Sequence, residues 1–410
     1  MNGVSNISGG ELNGLGFGNR ARQLSVHEPG LDFLRTIAIL LVFICHLPWH
    51  RVPHFLFFVQ EFGWIGVDLF FVLSGYLIGS QLLRPYTINR KPIIGDFFIR
   101  RSFRVLPAFL VVLFLYCSFP PFKESETMRP FWQFLTFTQN FGLVPPSAFS
   151  HAWSLCVEEH FYWILPFLVF WLMRRPRFAK AAFVAAAILV GGLVIRSVVW
   201  LHFFAPVAQT PENDQLLVGP YFAWIYYPTP TRLDGLLIGV LIAATKLFRP
   251  TWWKAITANK TVILIAGLVV ISFAVKISWD RFSWAAVIFG FPLLAIGFGL
   301  LVASMISDGS GWSLRVPGAA TGAAWTYSFY LTHKEVMHLD RLYLGDWVQS
   351  NRWVALGIYI VTSLFVAATL YYIVERPFLR MRDRLTMRTA SLRPTNPPEG
   401  TKAHQGSQIS

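Results

Sequence analysis

Residues 31–50 read LDFLRTIAILLVFICHLPWH. The run is too apolar for water, yet it holds Asp32, Arg35, His46 and His50. Crossing the hydrocarbon core takes about 20 predominantly apolar residues, so the stretch predicts a membrane helix. Ionisable groups inside such a helix are costly and mark function by default. His46 follows Arg35 by eleven residues, about 16 Å further along a helix axis. Eleven steps of about 100° return it to within roughly 20° of Arg35's direction. The two share a face, half a membrane apart.

The rest of the chain agrees with this reading. Of 410 residues, 54% are hydrophobic and 14% charged, against about 25% charged in soluble domains. Ten runs reach spanning length: roughly 31–50, 62–83, 104–122, 151–173, 179–204, 229–248, 261–279, 283–305, 321–340 and 353–375. FWQFLTFTQNFGLV (131–144) is apolar but short, and reads as interfacial or re-entrant. With the N-terminus inside, 24 of the 35 Lys/Arg fall on inner segments and seven on outer loops. That bias predicts cytoplasmic N- and C-termini. The net charge of +14 is then largely topology, and no nucleic-acid partner is expected. Cys45, Cys117 and Cys156 lie in apolar runs without CxxC spacing, so neither a disulfide framework nor a thiolate metal site is expected. Residues 1–30 read as a disordered Gly/Ser/Asn-rich tail, 31–378 as the membrane domain and 379–410 as a basic disordered tail. No small-residue cleavage site follows the first run, which marks an uncleaved anchor.

The expected fold is all-α and polytopic, with about ten helices around a polar channel. Helix four enters from outside as HAWSLCVEEHFYWILP, which places Glu158 and Glu159 at the depth of His46. TRLDGLLIG brings Arg232 and Asp234 to the outer rim, near Asp68 of helix two. WTYSFYLTHKEVMH carries Ser328, Tyr330, His333 and Lys334 toward the same layer. At the inner side FFIRRSFRVLP presents Arg100, Arg101 and Arg104, with Arg101 and Arg104 on one face at i,i+3 spacing. Plainer readings stand beside each of these. Arg101 and Arg104 fit snorkelling anchors, and Glu158 and Glu159 suit a helix N-terminus. Thr231 to Asp234 fits a capping arrangement, GYLIG (75–79) fits helix packing, and Asp68 fits an interfacial residue. The cluster argues for function more strongly than any member.

The pattern resembles the acyltransferase-3 family of integral membrane acyltransferases along most of 31–378. Carrying it are the Arg-x10-His of LDFLRTIAILLVFICH, then GWIGVDLFFVLSGYLIG, the Arg-x-x-Arg of RRSFRVLP, HAWSLCVEEHFYWILP, TRLDGLLIG, YSFYLTH and YYIVERPF, in the family's order. The resemblance implies transfer from cytoplasmic acyl-CoA, with acetyl-CoA the expected co-substrate and no metal. The acceptor would be a hydroxyl of an envelope glycan, a lipid or a small molecule. The protein would sit multi-pass in the inner (cytoplasmic) membrane. His46 would be the catalytic histidine, with Glu158 and Glu159 in the acceptor-side motif. Arg35, Arg101 and Arg104 would handle the donor. Asp68, Arg232, Asp234, Ser328, Tyr330 and His333 are expected to line the acceptor path or channel. The chain departs from the family at Cys156 and at His160, which is expected beside the site. Many members carry an appended SGNH hydrolase-like domain, and none is expected here.

Acyl transfer to an alcohol needs a base and stabilisation of a developing oxyanion. Imidazole, with an ordinary pKa near 6.5, suits the base, and a carboxylate such as Glu158 would fix its tautomer. Arginine forks suit coenzyme A phosphates. An acyl-histidine intermediate is an equal alternative. The rival class is a proton-coupled transporter or flippase of a glycan or lipid, which also uses intramembrane Arg, Glu and His. Inverted repeats and paired broken helices, common in carriers, are not evident in the sequence.

Overall fold

A computed structural model describes residues 28–48, 53–207, 214–307, 316–345, 347 and 351–391. Among them are eleven long helices: α1 (Pro29–His46), α2 (Ile65–Leu83), α3 (Ile94–Ser118), α4 (Trp153–Arg174), α5 (Phe178–Val199), α6 (Asp234–Phe248), α7 (Lys260–Ile277), α8 (Trp284–Met305), α9 (Ala319–Tyr343), α10 (Arg352–Leu370) and α11 (Arg376–Ser391). No strand occurs among the described residues. Seven helices are long and apolar enough to cross a membrane, or eight if Asp234–Phe248 and Pro250–Ile256, bent by 116°, form one span. The protein is an all-α polytopic membrane protein. α3 and α9 are not among these seven. At 25 residues each, they extend about 37 Å, longer than the roughly 30 Å hydrocarbon core.

Local chemistry explains the helix ends. α1 opens on Pro29, whose fixed φ suits a first turn and whose missing N–H is no loss there. Asn259, Ser283 and Asn351 cap α7, α8 and α10 by accepting the N–H of Val262, Ala286 and Trp353. α3 begins at Ile94, ten residues before the expected span at 104, because IGDFFIRRSFR is an amphipathic helical turn that a hydropathy window discounts. α6 begins at Asp234, not 229, and Thr229–Thr231 form a 3-10 turn. No side-chain cap closes the α6 N-terminus, so the capping reading of Thr231 to Asp234 does not hold. α10 runs through a wide turn at Tyr371–Glu375 into a helix to Ser391. Residues 379–391 are therefore helical where a disordered tail was expected. The remainder of that tail, residues 1–27 and His50 lie outside the described residues.

α2 and α6 form the tightest pair. A Cβ on Gly75 would fall 2.0 Å from the Leu236 carbonyl oxygen, and one on Gly239 2.3 Å from that of Val72. Backbone contact this close requires glycine and confirms the packing role of GYLIG. α1 packs on α2 and α9, and α9 on α10. α5 and α7 stay largely exposed, and residues such as Phe183, Val198, Val269 and Phe365 supply an apolar surface suited to lipid. Residues 131–152 fold inward as a short helix and turns, with Gln139 and Asn140 buried; Asn140 donates to the Tyr227 carbonyl and Thr229 Oγ1. The run expected to be interfacial or re-entrant thus forms no spanning helix and packs its polar residues into the bundle.

Candidate functional site

Three cavities follow one another through the bundle. The first, about 800 Å³, is lined by Arg84, Arg90, Lys91, Arg100, Arg101, Arg104 and Arg382, with Glu28 its one acidic lining residue. The second, about 310 Å³, shares Arg101, Arg104, Leu77, Ile78 and Gln81 with the first, and adds Arg35, Ser74, Ser154, Glu158, Tyr162 and Tyr330. The third, also about 310 Å³, holds His46, Gln60, Glu61, His151, Trp153, Arg281 and Lys334, and it shares Tyr330 with the second. Arg35 thus lines the middle cavity and His46 the next one, as their common helix face predicts. Tyr330 forms the septum: its hydroxyl donates to the His151 carbonyl and lies 2.7 Å from Ser154 Oγ.

The guanidinium of Arg101 anchors the arginine end. Its Nη2 donates to Glu158 at 2.9 Å and its Nε to Glu159 at 3.2 Å, while its plane lies 3.9 Å from the Tyr162 ring centre. Ser74 and Tyr162 also donate to Glu158, at 3.0 and 2.8 Å. Neither glutamate bonds His46 among the described contacts, so the shared layer expected of them is corrected. They sit seven and eight residues beyond His151, about 10–12 Å deeper along the chain axis. It is His151 that lines the His46 cavity.

At the histidine end the tautomers follow from the acceptors. His46 Nδ1 lies 2.9 Å from the Val42 carbonyl and 3.2 Å from His333 Nε2. His333 Nδ1 lies 2.9 Å from the Tyr330 carbonyl and 3.1 Å from that of Phe329. Carbonyls only accept, so each Nδ1 carries the proton. His333 Nε2 then accepts from His46, and the His46 Nε2 lone pair is left without a hydrogen bond among the described residues. A backbone carbonyl and a neutral histidine, not Glu158, fix the imidazole.

Other expected lining residues are structural neighbours. Arg232 donates to Asp68 at 3.0 Å and stacks on Phe291 at 3.7 Å, while Asp234 accepts from Arg196 at 2.7 Å. Ser328 donates to Glu375 at 2.8 Å. Asp68, Arg232, Asp234, Ser328 and His333 line none of the three cavities, and of the expected lining residues Tyr330 alone does. Arg232 touches the third only through the rings of Trp153 and Tyr226. His160 also faces away, its Nδ1 2.7 Å from Thr229 Oγ1 and its ring stacked on Phe141. His151, Arg196, Glu335, Glu375 and Arg382 were not singled out by sequence. His151, Arg196, Glu335 and Glu375 have their partners on other elements, whereas Arg382 pairs with its neighbour Asp383, and only the position of His151 before Trp153 in the HAWSL run offered a signal.

Fold and cavities define a helical membrane protein with a polar passage graded from guanidinium to imidazole. The acyltransferase-domain model of the acyltransferase-3 family matches residues 28–372, and the chain belongs to that family. Curated relatives include the peptidoglycan O-acetyltransferase OatA of Listeria monocytogenes, 27% identical over 86% of this chain and 56% of that protein. The O-acetyltransferase OatA of Staphylococcus aureus is 26% identical over 83% and 54%. The chain spans about half the length of these relatives. No solved structure matches it. Arg382 lies beyond the matched region.

Proposed function

We propose that the protein is a membrane O-acyltransferase that moves an acyl group, acetyl by the relatives' names, from acyl-CoA to a hydroxyl of an envelope glycan. The observation that carries this reading is the His46 imidazole. Its Nδ1 proton is committed to Val42 and His333, and its ring lines a cavity separated only by Tyr330 from an arginine-lined one. The seven cations of the first cavity suit the nucleotide phosphates of coenzyme A. By the positive-inside distribution this end faces the cytoplasm and the histidine end the outside, with the protein in the inner membrane. Arg35 and Arg104 flank the donor's path, and Arg101 lines it while held by Glu158 and Glu159.

In the reaction, the acceptor oxygen attacks the thioester carbonyl, and the carbon–sulfur bond breaks. His46 Nε2 takes the hydroxyl proton and returns it to the thiolate, so the imidazole ends neutral. A positioned base of this kind contributes about 10²–10⁴ in rate. His333 acts through His46 as a positioning residue, and Glu158 and Glu159 act through Arg101. Tyr221, Phe222, Tyr226 and Tyr227 line the His46 cavity and give it aromatic faces for a sugar ring. His333→Phe is the test: it removes the acceptor for the His46 Nδ1 proton but keeps ring volume. Transfer should drop about tenfold or more with donor KM unchanged. Wild-type turnover in that variant would remove His333 from the reading.

A further inference from the structure

Beside the His46–His333 pair lies a cluster that the proposed reaction does not use. Glu335 of α9 is fully buried, and one of its carboxylate oxygens, Oε2, has no partner. His151 is 3% exposed, and neither ring nitrogen makes a hydrogen bond of normal geometry. Its Nδ1 stands 3.6 Å from Glu335 Oε1, too far for such a bond. The Tyr116 hydroxyl lies between Glu335 and Glu124 Oε2, the latter at 3.0 Å. The hydroxyl has a single proton to offer the two carboxyl groups. Lys334 Nζ, 2.9 Å from Glu124 Oε1 and 2.9 Å from Ser150 Oγ, is the cluster's single ammonium. The unpartnered Oε2 of Glu335 and both ring nitrogens of His151 are buried polar atoms without compensation, which is costly in a dry interior.

We propose that Glu124, His151 and Glu335 bind a divalent transition-metal cation of the zinc class. One ligand atom from each residue falls within 4.8 Å of the others. Zinc–nitrogen and zinc–oxygen bonds of about 2.0–2.2 Å place tetrahedral ligand atoms roughly 3.4 Å apart. The 3.6 Å between His151 Nδ1 and Glu335 Oε1 matches that edge. One imidazole with carboxylates is a borderline-to-hard donor set that suits such an ion. Lys334 takes Oε1 of Glu124, leaving Oε2, on the Tyr116 side, for the metal.

The three ligands come from the segment after α3, the turn before α4, and α9. An ion there would clasp the segment between α3 and α4 to α9. It would also fix the His151 ring, whose centre is 5.5 Å from that of His333. The site rests on its own geometry and does not depend on the acyltransferase reading.

The test uses the full, untagged chain in detergent, loaded with Zn²⁺ or Co²⁺, freed of loose metal on a chelating resin and assayed by mass spectrometry for bound metal. Wild type should retain about one equivalent, and Co²⁺ should give visible absorption bands. Glu335→Gln and, separately, Glu124→Gln should each lower retention at least tenfold. A chelator should lower the unfolding temperature of wild type but not of Glu335→Gln. Should Glu335→Gln fail to fold, Glu124→Gln decides alone. Wild type without metal after loading would overturn the site, as would variants that hold metal as wild type does. A wild type without metal whose Glu335→Gln variant is also equally stable would identify the cluster as a hydrogen-bonded network instead.

Discussion

Replacing Arg101 with alanine leaves Glu158, which lines the second cavity, and its buried neighbour Glu159 without their shared cation. Arg101 is 14% exposed at its side chain and makes both ion pairs, at 2.9 and 3.2 Å. Removing one partner of a buried pair costs about 3–5 kcal/mol, mostly because the surviving charge stays buried. Arg101→Ala should therefore lose about that much stability. Adding Glu158→Gln and Glu159→Gln removes the stranded charges and leaves neutral amides, the one at 158 still beside Ser74 and Tyr162. The triple variant should lose only about 1–3 kcal/mol, the cost of imperfectly paired neutral groups. The assay is reversible unfolding of detergent-purified protein, with transfer measured on the same samples. Stability should return in the triple variant while activity does not, because the donor still lacks its guanidinium. A triple variant no more stable than Arg101→Ala would refute the assignment of the glutamates as holders of Arg101.

The remaining predictions concern packing, the septum and the donor. Gly75→Ala should cost about 1–3 kcal/mol by forcing α2 from α6, whereas Gly95→Ala, whose Cβ meets nothing within 4 Å, should not; thermal unfolding of both decides. Tyr330→Trp should slow transfer about tenfold or more by blocking the passage while leaving equilibrium binding of acyl-CoA unchanged. Arg382→Ala should raise the KM for acyl-CoA about tenfold, the loss of one charge-assisted contact, and leave acyl-pantetheine, which lacks the nucleotide phosphates, unaffected. An equal effect on both donors would remove Arg382 from phosphate binding.

Much of the architecture was legible because hydropathy and charge report on the bilayer directly. A helix stands at each of the ten expected runs, seven or eight of them long and apolar enough to cross a membrane, and the Arg35–His46 face follows from helical periodicity alone. What was hidden depends on how helices rotate against each other. Arg232 was expected in the channel, yet the close α2–α6 approach at Gly75 and Gly239 turns it onto Asp68. Asp234 looked like a cap, yet it pairs with Arg196, 38 residues earlier on α5. Glu158 and Glu159 were placed beside His46 because entry from outside set their depth from the span's first residue. The 3-10 turn at Ser150–Ala152 and the position of His151 show that the histidine layer ends two turns before them. The helix to Ser391 was missed because its residues are too polar for a span, although Arg382 reaches the first cavity.

The most direct measurement follows radiolabelled acetyl-CoA into the lipid and envelope-glycan fractions of membranes holding wild type or His46→Ala at matched levels. Label in the glycan fraction with wild type alone is the expected result, since the proposed base is the His46 Nε2 lone pair. Equal label in both membranes would contradict the central role given to His46.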